Sequence, residues 1–411
     1  MSRSELMLFV FIICTAGFST SLQLLTLVLF SLFNILKRPK ILFFNRWIFY
    51  ALITLISFSQ LLFIGAADYG LNYILNTLII SFMWYFMLQS SNFIVSTISE
   101  IHQSRLEAVL IKVFNVNTLV VVIQVIILFI SRGGNPFSDD AASGDHIKGI
   151  FSFSSSNMIV MSFYSIFFTF RKYYKLLAIS ILVLLLTYFM SGLMFFIIAV
   201  SIYGLTVLNL TNKIKLVVTG LSVIFVFSII SPGNIRYAER ILSTKLNNEV
   251  DPIRKIVSVK QTYQYWTESW LHFVFGAGGG KFSSRTAFIT GGEYINYPEE
   301  YIYLSPEFKK NHFQLWNNEI LSNDHMDGTA NQPFSFYNKI VGEYGLIGIF
   351  LFLLYMSVFF RNYKRLSFGK VILFTLPLFL FLDYWFEYFT VIIFFEAFMF
   401  IDMKRENDQR L

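Results

Sequence analysis

The chain has 411 residues, of which 55% are hydrophobic and only 14% are charged, and its formal net charge is +7. Soluble domains carry roughly 25% charged residues, so this chain has too few to cover a water-exposed surface of its size. The composition argues against a soluble enzyme, a nucleic-acid-binding protein and a disordered chain. The hydrophobic residues also occur in runs of about 18 or more, the length of a membrane-spanning helix. We therefore expect an all-α polytopic membrane protein.

These runs predict about eleven transmembrane helices, within a range of roughly ten to twelve. The first run starts at Met7 and is longer than a signal-peptide core, so we expect it to be retained as a span. It contains Cys14, the only cysteine, which excludes a disulfide framework. The predicted spans are residues 7–36, 41–65, 72–98, 109–131, 150–170, 176–190, 192–210, 215–232, 336–360, 371–384 and 387–402.

Lys and Arg residues are concentrated in alternate connections between these spans. The connections after the first, fifth, seventh and ninth predicted spans include Lys37, Arg171, Lys213 and Arg361, together with further cations and no acidic residue. The positive-inside rule places them in the cytoplasm, with residues 99–108 and the C-terminal tail. The N-terminus is then predicted to lie outside.

The spans divide the chain into three parts. Residues 1–232 contain eight predicted spans, and residues 336–411 contain the last three and a cytoplasmic tail. Residues 233–335 form one large loop on the outer side, too long for a connector and too mixed in composition for a flexible linker. Residues 132–149 form a second, smaller outer patch. We expect the chemistry to lie in the large loop.

Three arginines in this loop are candidates for binding phosphate at the membrane surface. Arg236 and Arg240 are four residues apart, which places them on one face of a helix, and Arg254 begins a helical stretch after an Asp-Pro start signal. A guanidinium group can bind phosphate through two hydrogen bonds. Alternatively, these residues pair with lipid phosphates or with Glu239 and Asp251.

Aromatic residues are interleaved with the cations. Trp266, Trp270 and Trp316 can stack on the apolar faces of sugar rings, although an interfacial belt or a packing role is the commoner use of such residues. The glycine-rich segment 276–280 lacks the glycine spacing and the Ser or Thr of a phosphate-binding loop. It is interpreted as a tight turn.

His325 lies between Asp324 and Asp327, shortly before the ninth predicted span. A histidine at the mouth of a membrane cavity can act as a general base, although a loop histidine is more often simply solvated. The two aspartates alone do not indicate a divalent metal site.

Few ionisable residues fall inside the predicted spans. Arg46 and Lys112 lie near a cytoplasmic end, where they can extend their charged groups to the surface. Glu396, with Asp383 and Glu387 near the outer end of the last spans, forms no ladder of carboxylates. No proton or ion pathway is therefore indicated.

The order and sidedness of these features resemble the bacterial O-antigen polymerase (Wzy-type) and O-antigen ligase superfamily. Its members are multi-span membrane glycosyltransferases with one large periplasmic loop late in the chain. The matching motifs are a basic-Gly-to-Asn start of a span, a Ser-Gly hairpin between spans, an Arg followed by a helix and Gly-x-Gly-x-Gly, and a Glu-x-Gly-x-x-Gly after the loop. They lie in residues 148–157, 187–192, 254–280 and 331–348.

The resemblance implies an enzyme of lipopolysaccharide biosynthesis in the bacterial inner membrane, with the large loop in the periplasm. Such an enzyme transfers a growing glycan from undecaprenyl pyrophosphate to the non-reducing end of an incoming undecaprenyl-pyrophosphate-linked repeat unit. The three arginines and Lys148 would neutralise the pyrophosphate, so that no metal or other cofactor is needed. His325 is the first candidate for the base and Glu343 the second, with a bracing role at the start of the ninth span as the alternative for Glu343. A chain-length regulator is implied as a partner.

Three other functions remain open. An O-antigen ligase would use the same donor with lipid A-core as acceptor, but ligases usually present a His-Asn pair where this chain has Ala330 and Asn331, and Lys148 stands where Arg is commoner. Both departures favour a polymerase. A transporter or flippase of lipid-linked saccharide would place its cations in a cavity within the spans. A non-enzymatic membrane scaffold is compatible with the composition.

Overall fold

The computed structural model describes residues 1–37, 43–62, 70–132, 146–207, 209–230, 254–292, 299–315 and 335–408, with positions 232 and 239. Over these residues the chain is all-helical and contains no strand, which confirms the all-α part of the predicted fold class. The helices before the large loop are α1 (Arg3–Thr15), α2 (Thr20–Lys37), α3 (Phe44–Ser59), α4 (Leu71–Glu100), α5 (Gln103–Arg132), α6 (Ser154–Arg171), α7 (Tyr174–Leu186), α8 (Met190–Val207) and α9 (Leu210–Ile230).

The large loop contributes shorter helices, and the chain ends in three long ones. Those of the loop are α10 (Arg254–Glu268), α11 (Trp270–Phe275), α12 (Arg285–Thr290), α13 (Pro306–Lys310) and α14 (His312–Leu315). Those after it are α15 (Phe336–Arg361), α16 (Gly369–Leu382) and α17 (Phe389–Asp408).

Three of the described helices, α4, α5 and α15, are long and apolar enough to cross a membrane. The whole of α7 and α16 and most of α2 and α8 are shorter apolar helices. These features support a membrane protein. The count of eleven spans and the periplasmic side of the large loop stay predictions.

The single first span predicted over residues 7–36 is two helices in the structure. Between α1 and α2, Gly17 adopts a φ of 99° and forms an isolated bridge with Phe151. A Cβ atom on Gly17 would overlap the Ser152 hydroxyl, so only glycine fits here. The break was not predicted because the run from residue 7 to 36 contains no charged residue, although Ser and Thr residues flank Gly17.

The additional helix reverses the predicted side of the N-terminus. Glu5 forms an ion pair with Arg105 at 3.1 Å, and the Ser4 hydroxyl donates to Glu100 at 3.2 Å. Lys404, late in α17, donates to carbonyl groups at the end of α4. The N-terminus therefore shares a face with residues 99–108 and the C-terminal helix, and its prediction opposite to them is wrong. We call the end with Glu100, Arg105 and Lys404 the inner end, and the opposite end the outer end.

The described part of the large loop lies at the outer end. The guanidinium of Arg285 lies 4.5 Å from the ring centre of Tyr388 and 6.0 Å from that of Phe153. Phe153 immediately precedes α6, and Tyr388 immediately precedes α17. The large loop and the chain that follows the 132–149 patch are therefore at the same end of the bundle.

Aromatic side chains fill much of the core. The ring of Phe386 lies near those of Phe336, Tyr355 and Phe49, with centroid distances of 4.7, 5.4 and 5.8 Å. Such aromatic pairs stabilise the fold by more than the burial of their apolar surface alone. This cluster joins α3, α15 and the turn before α17 directly beneath the loop.

Arg46 does not extend to the surface as the sequence suggested. It is 1% exposed and faces Glu396 at 4.0 Å, while it donates to Asn92 at 2.8 Å. The hydroxyls of Tyr50 and Tyr355 each donate to Glu396 at 3.0 Å. Removing one partner of such a buried charge pair strongly destabilises the protein, because the other charge is left buried without compensation.

Candidate functional site

The glycine-rich turn after α11 docks onto a break in α15. Gly345, with φ 57°, is non-helical and interrupts this helix. The carbonyl groups of Gly342 and Glu343, just before the break, accept hydrogen bonds from the N–H groups of Ala277 and Gly278 at 2.8 and 2.9 Å. Two motifs recognised separately in the sequence therefore form one contact between the large loop and α15, a helix long and apolar enough to cross a membrane.

The carboxylate of Glu343 completes this contact. It is fully buried, and its Oε2 accepts from the N–H of Gly280 at 2.8 Å. Its Oε1 accepts from the N–H groups of Phe282, Ser283 and Ser284 at 3.1, 3.2 and 3.0 Å. Hydrogen bonds to an ionised acceptor are roughly twice as strong as neutral ones. The geometry favours the bracing role that the sequence left open for Glu343.

Lys281 fastens the same turn to α3 and α4. Its ammonium donates to the amide oxygen of Gln60 and to the Thr77 hydroxyl, the latter at 3.2 Å, and lies 4.4 Å from the ring centre of Tyr73. Burial lowers the pKa of Lys281 to about 8, against the opposing charges of Glu343 and Glu307. The turn is therefore held by a carboxylate on one side and an ammonium on the other.

His312 joins α14 to α10 and to the turn. Its Nδ1 lies 2.7 Å from the Ser283 hydroxyl, and its Nε2 lies 3.2 Å from the Ser258 carbonyl oxygen. Because a carbonyl only accepts, this geometry assigns the proton to Nε2 and makes Nδ1 the acceptor from Ser283. Burial lowers the pKa of His312 to about 4, so the ring is neutral at physiological pH.

Acid is expected to loosen the contact at His312. In the unfolded chain a histidine titrates near 6.5, whereas in the folded protein its pKa is about 4. The unfolded state binds more protons between these values, so stability is full above about pH 6.5 and falls by up to about 3 kcal/mol as the pH approaches 4. Thermal unfolding of the detergent-solubilised protein as a function of pH measures this loss.

Two histidine variants isolate this contribution from other titrating groups. His312→Asn should be less stable than the wild type at neutral pH, but it should lose less stability on acidification. His102→Asn, which changes an exposed histidine at the inner end, should keep the wild-type pH profile. An unchanged acid loss in His312→Asn would contradict the assigned role.

Arg254 and Lys255 begin α10 on its buried side. Arg254 Nη1 donates to the Leu315 carbonyl at 3.3 Å, and Lys255 Nζ donates to the Leu382 carbonyl, at the end of α16, at 2.6 Å. Burial lowers the pKa of Lys255 to about 8, while the charge of Asp383 acts in the opposite direction. Two neighbouring cations therefore lie where the loop meets the outer end of the spans.

A mostly apolar cavity of about 320 Å³ opens beside Lys255. It lies between α8, α10 and α16, and Lys255 is the charged residue in its wall. This is an arrangement suited to an apolar chain that carries a negatively charged group at one end. The lining residues are Ser191, Phe195, Lys255, Ile256, Val259, Phe381 and Leu382.

Of the other predicted site residues, the structure describes two tryptophans and Lys148. Trp266 is partly buried, donates to the Phe273 carbonyl at 2.8 Å and stacks on that ring, which indicates packing. Trp270 is 73% exposed. Lys148 is exposed in a segment held to α5 through Gly149 and Gln124. Four predicted residues, Arg236, Arg240, His325 and Trp316, lie outside the described residues.

A buried ion pair beneath the loop was not predicted. Lys339 Nζ and Glu387 Oε1 are 3.0 Å apart, both fully buried, and the ammonium lies 4.2 Å from the Trp84 ring centre. Glu387 Oε1 also accepts from the backbone N–H of Arg285 at 3.2 Å. The available signal was a lysine one turn inside a predicted span, opposite a glutamate that the sequence had already singled out.

Comparisons with known proteins do not assign the chain to a family. No protein-family model matches it, and no curated protein or solved structure is significantly similar to it.

Proposed function

We propose that the protein is a membrane glycosyltransferase that polymerises lipid-linked oligosaccharide repeat units, as bacterial O-antigen polymerases do. The donor is a growing glycan on undecaprenyl pyrophosphate, and the acceptor is the non-reducing sugar of an incoming undecaprenyl-pyrophosphate-linked unit. On this proposal the enzyme resides in the bacterial inner membrane, with residues 233–335 in the periplasm.

The cavity lined by Lys255, which Arg254 precedes in α10, carries the proposal. A polyprenyl chain needs an apolar site reached from the membrane, and its pyrophosphate needs cations where that site ends. The cavity walls provide Phe195, Ile256 and Phe381 for the chain. Arg254 and Lys255 provide the charge, and a guanidinium suits a phosphate better than most cations because of its planar set of donors.

The reaction requires charge neutralisation at the leaving group. The acceptor hydroxyl attacks the anomeric carbon of the donor sugar, and the bond from that carbon to the phosphate oxygen breaks. The pyrophosphate leaves with the electron pair, and its negative charge is stabilised by the cations. The acceptor proton passes to a base, for which His325 is proposed, since Glu343 is committed to four backbone hydrogen bonds.

Two rival functions share some of these features. A ligase would bind the same donor and differ in its acceptor, so the donor cavity supports both enzymes. A flippase would need cations along a path through the spans. Among the described residues, the buried charges Lys339 and Arg46 are paired with Glu387 and Glu396, which favours a structural role for them.

Purified protein in liposomes with undecaprenyl-pyrophosphate-linked repeat units is expected to produce a ladder of longer glycans, with or without EDTA. Arg254→Ala should slow elongation by about a hundredfold or more, the typical cost of removing one group that stabilises developing charge. Gel electrophoresis of the released glycans measures both results.

Lys260→Ala is the matched control, because it removes an exposed cation from the same helix. It should elongate like the wild type. Equal losses in the two variants would point to general surface charge instead of a phosphate site. A ladder that appears only on lipid A-core would favour the ligase, and movement of the lipid across the bilayer without elongation would favour the flippase.

A further inference from the structure

The buried face of α10 is polar, the reverse of an ordinary amphipathic helix. A water-exposed helix of a soluble protein buries its apolar stripe. Here the side chains turned toward the protein are two cations and three residues with a hydroxyl group. They are Arg254, Lys255, Ser258, Thr262 and Tyr265.

The exposed surface of α10 is divided into two stripes. At 100° per residue, Ile256, Val259 and Tyr263 fall on one side of it, and Lys260, Gln264, Thr267 and Glu268 fall on the other. Ile256 and Val259 also line the cavity against α8 and α16. The apolar stripe therefore continues onto the neighbouring apolar helices, and the polar stripe faces away from them.

The next helix, α11, lies alongside a membrane-spanning helix well below its start. The carbonyl of Phe273 and the backbone of Val274 are so close to Gly345 that a Cβ there would lie 2.7 Å from each. Gly345 is nine residues after Phe336, the first residue of α15, which corresponds to roughly 14 Å along the helix axis. Since α15 is one of the helices able to cross a membrane, α11 packs against a possible span about one third of the way along it.

The exposed side chains of α11 fit that position. Trp270 is 73% and Leu271 65% exposed, and Phe275 is exposed beside them. On α15, Leu346 and Phe350, which follow Gly345, are exposed as well. The exposed apolar surface is therefore continuous from α15 to α11.

We propose that α10 and α11 form an interfacial element of the large loop, with the apolar stripe of α10 and the exposed face of α11 in contact with the lipid of the outer leaflet. The polar stripe of α10 then faces water, and the buried polar face holds the element to the bundle. Helices of this type typically sink their apolar face about 5–10 Å into the boundary between head groups and acyl chains. The element brings the cavity to the level of the lipid chains.

Neighbouring residues on the two stripes provide a matched test. In a Cys14→Ser background, Tyr263→Cys, Leu271→Cys and Gln264→Cys are labelled with an environment-sensitive fluorophore and reconstituted in phosphatidylcholine vesicles. The probes at 263 and 271 should show blue-shifted emission, quenching by brominated phosphatidylcholine and protection from aqueous iodide. The probe at 264 should show the reverse.

Leu346→Cys on α15 provides the reference for a lipid-exposed position, and it is independent of how the loop variants fold. If the probes at 263 and 271 respond like the one at 264, the proposal is overturned. It is also overturned if their blue shift disappears as the lipid-to-protein ratio rises, because the contact would then be with a second copy of the chain. Neither result depends on glycan polymerisation, so the proposed enzyme activity is tested separately.

Discussion

Glu343→Ala is expected to release the glycine-rich turn from α15. The substitution removes the carboxylate that accepts hydrogen bonds from four buried backbone N–H groups. They belong to Gly280, Phe282, Ser283 and Ser284. Leaving buried donors unsatisfied costs about 1–3 kcal/mol each, of which relaxation recovers a part. We expect a loss of about 4 kcal/mol, which corresponds to a roughly thousandfold larger population of the released loop.

Limited trypsin digestion measures this population, because Lys281 lies inside the turn and is buried in the folded protein. Cleavage after Lys281 should accelerate strongly in Glu343→Ala and less in Glu343→Gln, which keeps one oxygen acceptor. Glu268→Ala is the control, since it removes a carboxylate of the same loop that forms only exposed ion pairs. If Glu343→Ala were digested at the wild-type rate and yet did not polymerise, Glu343 would act in the chemistry and not as a brace.

Gly276→Ala should be nearly as disruptive. Gly276 has φ 69° and ψ −162°, a conformation essentially restricted to glycine. An added Cβ would lie 2.5 Å from the carbonyl carbon of Glu343 and 2.6 Å from the Tyr344 nitrogen. These are backbone atoms of α15 that cannot rotate away. We expect a destabilisation of about 3 kcal/mol, measured as a lower thermal unfolding midpoint together with faster cleavage of the turn.

Gly220→Ala controls for the chemical change itself. Nothing lies within 4 Å of the Cβ that it would add, and Gly220 is inside α9. Alanine favours the helix over glycine by about 1 kcal/mol, so this variant should be at least as stable as the wild type. A tolerated Gly276→Ala would mean that the turn does not dock against α15 in the membrane.

Hydrophobic runs were sufficient to predict an all-helical membrane protein, because long apolar segments have few alternatives in a bilayer. They failed at Gly17, where the chain breaks between α1 and α2 at a glycine flanked by Thr15, Ser19 and Thr20 but by no charged residue. That one missed break also inverted the predicted side of the N-terminus. When the side of the N-terminus is derived by counting spans, a single missed span reverses the result.

At the site, the sequence identified the glycine-rich turn and the Glu343 motif but not their contact. The partners are about sixty residues apart in the chain, and no local periodicity encodes a contact at that separation. Lys281 and His312 were missed for a similar reason. Their roles arise from burial against Gln60 and Ser283, whereas in the sequence they are ordinary polar residues of a loop.

These contacts give the loop a rigid base. The turn is bonded to α15 and α4, and α10 is bonded to the end of α16 through Lys255. Residues that bind a strained, charged transition state must be held in place before it forms. The proposed phosphate site therefore sits on the part of the loop that the spans hold most directly.

Photolabelling is the most direct test of the proposed lipid site. An undecaprenyl pyrophosphate analogue with a diazirine in its first isoprene units should label Phe195, Ile256 or Phe381, and unlabelled undecaprenyl pyrophosphate should compete with it. Lys255→Met should weaken the labelling while the protein remains folded. Labelling spread over the exposed face of α5, for example at Ile127, with no competition and no effect of Lys255→Met, would contradict the assignment of this cavity to the lipid donor.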